Sequence, residues 1–243
     1  MAVSIDRVYQ KVLHVMNKEQ RGYITPLEFN DFANLAQSDL FEQYFYDINQ
    51  FGRLHGNDTE YSDMLNVLNE KISIFETTAD LAYNATSGYF ALPADIYRLG
   101  TVIYSNTTTD AFSVDSTELI EAERLNKNEF LYVNQSPLTK PKDTRPVYVS
   151  DTSGLMVYGN AKLIDNVSCT YIKKPTTVKW AYQIVFDEPL YNASQSIDFE
   201  LHPSEELELV HKILELAGIM TKNLEVYQVA DKEEIETIQS QKA

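Results

Sequence analysis

Residues 17–41 read NKEQRGYITPLEFNDFANLAQSDLF, and two incompatible local structures compete for them. A calcium loop needs oxygen ligands at its first, third, fifth and twelfth positions and a glycine at the sixth. Setting Gly22 as that glycine puts Asn17, Glu19 and Glu28 at ligand positions and Ile24 at the usual aliphatic one. It also puts Arg21, a fixed cation, where the ion requires an anion. A helix start explains the same residues without that conflict. Thr25 serves as N-cap, Pro26 takes the first helical position where its missing N–H costs nothing, and Glu28 closes a capping box. Ile24 and Phe29 then stand where a hydrophobic staple places them.

Outward from this start, the apolar set Phe29, Phe32, Leu35, Ala36, Leu40, Phe41, Tyr44, Phe45 and Ile48 predicts a helix over about 26–51. The set is broader than one stripe, so more than one surface should pack on it. Upstream, Ile5, Val8, Val12 and Val15 share a helical face over 4–16. Downstream, a short helix is expected over about 60–68, and strand character from Ile72 onward. Strands are expected near 88–92 and 101–104, with a helical turn from Pro93 to Tyr97. Asp115 and Glu118 repeat the capping-box spacing and predict a short helix to Leu125. Ser136–Pro146 is a proline-interrupted loop, and Asp151-Thr152-Ser153-Gly154 is the turn of a hairpin. Val167, Cys169 and Tyr171 alternate along a strand that turns Cys169 inward. Ile197, Phe199 and Leu201 read as a last strand. A helix starting at His202-Pro203 follows, with a seam of Leu207, Val210, Leu214, Ala217 and Leu224, and a polar helix over about 225–239 ends the chain. This pattern predicts an α+β fold: helical segments 1–70 and 202–243 around a β-rich 71–201, interleaved as a single domain.

The 243 residues carry 36 acidic and 20 basic side chains, a formal net charge of −16. Phosphate neutralisation needs clustered Lys and Arg, so a duplex-binding surface is not expected. One cysteine excludes an internal disulfide and a thiolate metal cage. No apolar run approaches the ~18 residues of a membrane span. The N-terminus lacks the pattern of a secretory signal, and a soluble protein of a reducing cytoplasm is expected.

Catalytic patterns are sparse. Neither a Walker loop, GxGxxG nor GxSxG is present. His14, His55, His202 and His211 have no zinc-binding spacing. Glu205 with Glu206, or Asp187 with Glu188, could be imagined as an acid–base pair, but helix neighbours do not face one another and surface solvation accounts for them. The single Trp180 gives little for a sugar to stack on. Lys140, Lys142 and Arg145, beside Asp143, fit a connector or an arm to a neighbouring subunit better than a nucleic-acid site. Neither catalysis nor a cofactor is expected.

Five stretches carry a resemblance: RGYITPLEFNDFANLAQSDLFEQYF (21–45), GYFALPADIYRLGTVIY (88–104), ELIEAERLNKNEF (118–130), CTYIKKPTTVKW (169–180) and DFELHPSEELELVHKILELAG (198–218). In this order they resemble the head-to-tail ring, or connector, proteins of crAss-like tailed bacteriophages. The resemblance implies a virion protein, assembled in the host bacterial cytoplasm, that forms a ring, expected to be twelvefold, below the portal protein and against adjacent ring or tail proteins. DNA would pass through the ring without specific binding, and no membrane would be involved. An acidic lumen agrees with this, because it offers phosphates no cations. Under this reading Lys140, Lys142 and Arg145, together with Tyr227 and Ile235 on the C-terminal arm, are the expected subunit-interface residues. The competing readings are a degenerate calcium-binding module using Asn17, Glu19 and Glu28, and a receptor- or glycan-binding tail component.

Overall fold

The computed structural model describes residues 3–18, 24–51, 64–109, 115–186, 188–220 and 232. The fold is α+β, and the chain divides into two compact units, residues 1–74 with 175–243 and residues 75–174. The first unit opens with α1 (Ile5–Lys18), α2 (Pro26–Phe51) and α3 (Met64–Ser73). The second carries β1 (Glu76–Asp80), β2 (Tyr83–Asn84), β3 (Tyr89–Phe90), β4 (Ile96–Thr109), β5 (Asp115–Glu121) and β6 (Glu123–Arg124). It continues through α4 (Lys127–Gln135), β7 (Val147–Asp151), β8 (Gly154–Tyr158) and β9 (Val167–Lys173). The chain then returns to the first unit for β10 (Tyr182–Val185), β11 (Glu188–Tyr191), a 3-10 turn at Pro203–Glu205 and α5 (Glu206–Met220).

Helix α2 starts as its sequence requires. The Thr25 N–H donates to Glu28 Oε2 at 2.9 Å, and the Glu28 N–H donates back to Thr25 Oγ1 at 3.3 Å. Ile24 and Phe29 are both buried. The breadth of the apolar face has a plain cause, since α2 packs against both α3 and α5. Leu35 falls outside that face and is exposed. In α1 the stripe is not the expected one. Ile5, Val8 and Val12 are buried, but Val15 is exposed and the stripe continues through Tyr9 and Met16. A helix turns 100° per residue, and α1 meets its neighbours along a line that drifts off a strict i+3 row. On α5 the seam is Leu209, Val210, Ile213, Leu214 and Ala217, while Leu207 is exposed. Leu224 and, apart from Lys232, the residues of the helix expected over 225–239 lie outside the described residues.

Three amide side chains on α2 do the work of a β-strand. Asn30 Nδ2 donates to the Trp180 carbonyl at 3.2 Å, and the Trp180 N–H donates to Asn30 Oδ1 at 2.7 Å. Asn34 repeats this double contact with Val178. Gln37 donates to the Thr176 carbonyl and accepts from the Glu200 N–H. The helix thus satisfies the backbone groups of segment 176–180 that face it, while Lys179 between them pairs with Ile197, so that these peptide groups find the partners they require. The expected strand at 197–201 is absent for a related reason. Its backbone is shared between single bridges, Phe199 to Val3 and Ile197 to Lys179, with no continuous partner. Asn30→Ala is expected to cost roughly 2–3 kcal/mol, because it strands both polar groups of Trp180 in a partly buried place. Urea unfolding of that variant measures the loss directly.

The second unit is built from two sheets, ordered β1-β9-β4-β5 and β2-β3-β8-β7-β6. Val102, Val167 and Cys169 from the first meet Phe90, Leu155 and Val157 from the second in one core. Cys169 lies fully buried there, on the inward side of an alternating strand. The β7–β8 turn is the expected one, with Asp151 opposite Gly154. Gly154 has φ +134°, and a Cβ there would sit 2.2 Å from the Phe90 carbonyl oxygen.

Three local expectations fail in this region. Ile72 closes α3 rather than opening a strand. Tyr97 belongs to β4, which runs unbroken to Thr109, so Pro93 opens only a turn closed by the Ile96 N–H. Asp115 and Glu118 lie in β5, paired residue for residue with β4. The working capping box stands at Asn126 and Glu129, opening α4.

Candidate assembly surface and a buried ionic cluster

Strands β10 and β11 form a two-stranded antiparallel hairpin in the register Tyr182 to Tyr191 and Ile184 to Pro189. Neither outer edge has a strand partner among the described residues. A hairpin this short is marginal in water unless something holds it. Trp180 holds its base: the buried indole stacks on Tyr182 at 5.8 Å and on Tyr191 at 5.7 Å, with Tyr9 against it at 4.2 Å. The Trp180 Nε1–H donates to Asp6 Oδ1 at 3.0 Å. Below the hairpin, the Ala181 N–H donates to Ser196 Oγ, and the Asn192 N–H donates to the Ala181 carbonyl. Away from this base the hairpin is bare. Ile184 is exposed on the face of Tyr182 and Tyr191, Val185 and Leu190 are exposed on the opposite face, and Phe186 at the turn is 98% exposed with φ +51°. An isolated exposed apolar residue needs no explanation, but apolar residues exposed on both faces and the turn of a supported hairpin mark an interaction element.

A second apolar surface lies on the other unit. Helix α4 has no buried residue, and Leu131 and Tyr132 on it are exposed. The loop that follows adds Leu138, 91% exposed. Phe130 stacks on Tyr158 at 4.3 Å and fixes the helix. Thr139 Oγ1 donates to the Val133 carbonyl, and the Lys140 N–H to that of Ser136. Of the expected interface cations, Arg145 pairs with Glu123 at 2.9 Å. Lys140 and Lys142 are exposed and make no ion pair among the described residues. Tyr227 and Ile235 lie outside the described residues.

Of the residues of the calcium reading, only the side chain of Glu28 is described. The Glu28 carboxylate is held below its ordinary range by the Thr25 hydroxyl and N–H. Glu19 and the side chain of Asn17 lie outside the described residues. No group of three or more His, Cys, Asp or Glu suited to a metal occurs among the described residues. His202 caps the 3-10 turn by accepting from the Ser204 N–H, and His55 is not among the described residues. A hollow of about 420 Å³ in the second unit is lined by Glu121, Glu123, Arg124 and Arg145. Its two cations face two anions, which gives it no net preference for a charged ligand.

The C-terminal acidic run is not a solvated face. Glu205 and Glu208 are buried, and Glu206 is clasped by Arg7 at 3.2 Å and Lys11 at 2.7 Å. Glu205 Oε1 accepts from Ser204 Oγ at 3.0 Å and pairs with Lys71 Nζ at 2.7 Å, and that ammonium also lies 5.6 Å from the Tyr44 ring centre. Glu205 Oε2 and the Tyr44 hydroxyl are buried without a formed hydrogen bond. Burial alone would raise the Glu205 carboxyl, but the bond and charge of Lys71 bring it below the ordinary value. Glu208 is pushed up to about 7, first by burial and then by the charge of Glu205. The same burial and the two carboxylates push the Tyr44 hydroxyl well above its usual range. Lys71 thus keeps the Glu205 carboxyl ionised, while Glu208 beside it is about half protonated near pH 7.

No helix among the described residues is long and apolar enough to cross a membrane. Neither protein-family models nor curated proteins give a match to the chain.

Proposed function

We propose that this chain is a virion structural subunit that assembles as a ring in the head-to-tail connector of a crAss-like tailed phage, extending the DNA channel below the portal. The observation that carries the proposal is the bare apolar hairpin held from beneath by Trp180 on a strongly acidic chain. A rigid, projecting apolar element suits a protein that is completed by neighbours rather than by a substrate. The ordered resemblance of five stretches supplies the kind of assembly. The excess of 36 acidic over 20 basic residues suits a channel through which DNA slides without adhering.

Mass photometry with negative-stain microscopy, on the chain alone and with its cognate portal, tests the proposal. Annular particles of uniform mass, or particles that form only on the portal, are expected. A monomer that ignores the portal across the accessible concentration range rejects the reading.

A further inference from the structure

We propose that the β10–β11 hairpin of one copy docks on the α4 and Ser136–Pro146 surface of the next copy, forming the repeating contact of the assembly. The inference rests on the ring reading and names the two faces that would make its joint. Both faces are apolar, and they are distinct surfaces of one chain. The hairpin presents Ile184 on one face, Leu190 on the other and Phe186 at its turn, so it would seat as an inserted tip, and the receiving surface presents Leu131, Tyr132 and Leu138. An aromatic side chain offers roughly 150–250 Å², so the hairpin tip, counted over both faces, and the receiving surface each expose on the order of 400 Å² of apolar surface. That is about half of the ~800 Å² that each partner contributes to a standard interface, the share expected of its apolar centre.

Charge selects the pairing. Glu188 stands exposed at the start of β11, next to Asp187 in sequence, and makes no ion pair among the described residues. Lys140 and Lys142 are cations beside the receiving patch on a chain where acidic residues outnumber basic ones 36 to 20. Hairpin on hairpin would instead set Glu188 against its own copy, a like-charge contact that costs free energy. A heterologous joint between different patches propagates around an axis and closes as a ring or continues as a filament. Both faces are also held in place before contact, the hairpin by Trp180 and the loop by Phe130, Ser136 and Thr139. Little ordering remains to oppose association.

The test uses the full chain with Cys169 left in its buried place. Phe186→Cys and Leu138→Cys variants are purified separately, mixed and oxidised. Disulfide-linked dimers are expected from the mixture at more than ten times the yield from either variant alone. In parallel, Ile184→Asp with Phe186→Asp should reduce assembly at least tenfold with an unchanged melting temperature. Lys140→Glu with Lys142→Glu should weaken assembly, and adding Glu188→Lys should restore part of it. Rings that form normally with the Asp pair overturn this joint and leave the ring reading standing. Linkage of Phe186→Cys to itself in preference to Leu138→Cys also overturns it by assigning the hairpin a different occupant. Failure to form rings under any condition removes the reading and this inference together.

Discussion

Replacing Trp180 with alanine is expected to destabilise the first unit by roughly 3–5 kcal/mol, the range for removing a fully buried large aromatic side chain. Three terms act in the same direction. The cavity would open among Tyr9, Tyr182 and Tyr191, all within 6 Å of the indole by ring centre. Asp6 would lose the donor on Nε1. The hairpin would lose the surface on which its paired tyrosines rest, and a two-stranded hairpin does not persist by its own hydrogen bonds. Trp180→Phe separates the contributions. It keeps an apolar ring but removes the donor, and roughly 1–2 kcal/mol is expected from it. Urea unfolding followed by far-ultraviolet circular dichroism gives both losses. Self-association measured under folding conditions should drop for the alanine variant more than its stability alone requires. A Trp180→Ala protein within 1 kcal/mol of the parent would show that the stack contributes little to holding the first unit together.

Lys71→Met is expected to cost roughly 3–5 kcal/mol at pH 8, the penalty for leaving a buried carboxylate without its cation. Lys212 still acts on Glu208, but the direct partner of Glu205 would be gone. The loss should shrink toward pH 5, where the carboxyl groups can take up protons instead of remaining charged. The parent protein has its own pH signature. Glu208 binds a proton on folding between its ordinary 4.5 and about 7, so its contribution is full below that window and is lost as pH rises through it. Glu205, held low, contributes above 4.5 and loses that contribution as pH falls through its folded value. Glu208→Gln should therefore raise stability at pH 8 by roughly 1–3 kcal/mol and flatten the slope between pH 5 and 7. Tyr44 from α2, Lys71 from α3 and Glu205 with Lys212 from the C-terminal segment surround this carboxyl. Denaturant midpoints across pH 5–8 for the parent and both variants provide the check. A Lys71→Met loss independent of pH would place its role in the packing of its alkyl stem.

Features decided by near neighbours were legible in the sequence, and features decided by distant ones were not. Thr25, Pro26 and Glu28 fix the start of α2 within four residues, and Val167, Cys169 and Tyr171 alternate regardless of what covers them. Asp115 and Glu118 have the same spacing as a real capping box. That spacing has no force against β4, whose Ser105, Asn106 and Thr107 supply a pairing partner. The burial of Glu205 could not be read locally, because the cation that permits it comes from α3. The β10–β11 hairpin was hidden by its turn. A two-residue connection favours Asn-Gly or Asp-Gly, whereas here the positive-φ residue is Phe186, a bulky side chain rarely found there. Pro189 within β11 argued further against a strand, although edge strands tolerate it. The alternation of Tyr182, Ile184 and Phe186, followed by Leu190, was the available signal. Of the expected interface residues, Lys140 and Lys142 fall on the exposed loop surface, and Arg145 is already engaged by Glu123.

The amide contacts along α2 set a length scale. Four residues of helix rise about 6 Å, and two residues of extended chain advance about 6.6 Å. Asn30 and Asn34 therefore meet Trp180 and Val178 almost in step. The next rung is only three residues on, a rise of about 4.5 Å, and it is a glutamine whose additional methylene extends toward Thr176. With each further rung the two repeats would slide apart, and the helix face would rotate away. Such a pairing ends by its own geometry after a few rungs. A β-strand in the same place would offer its far edge to any passing chain. A helix has no such edge, so segment 176–180 gains a backbone partner that cannot seed further strand addition on that side.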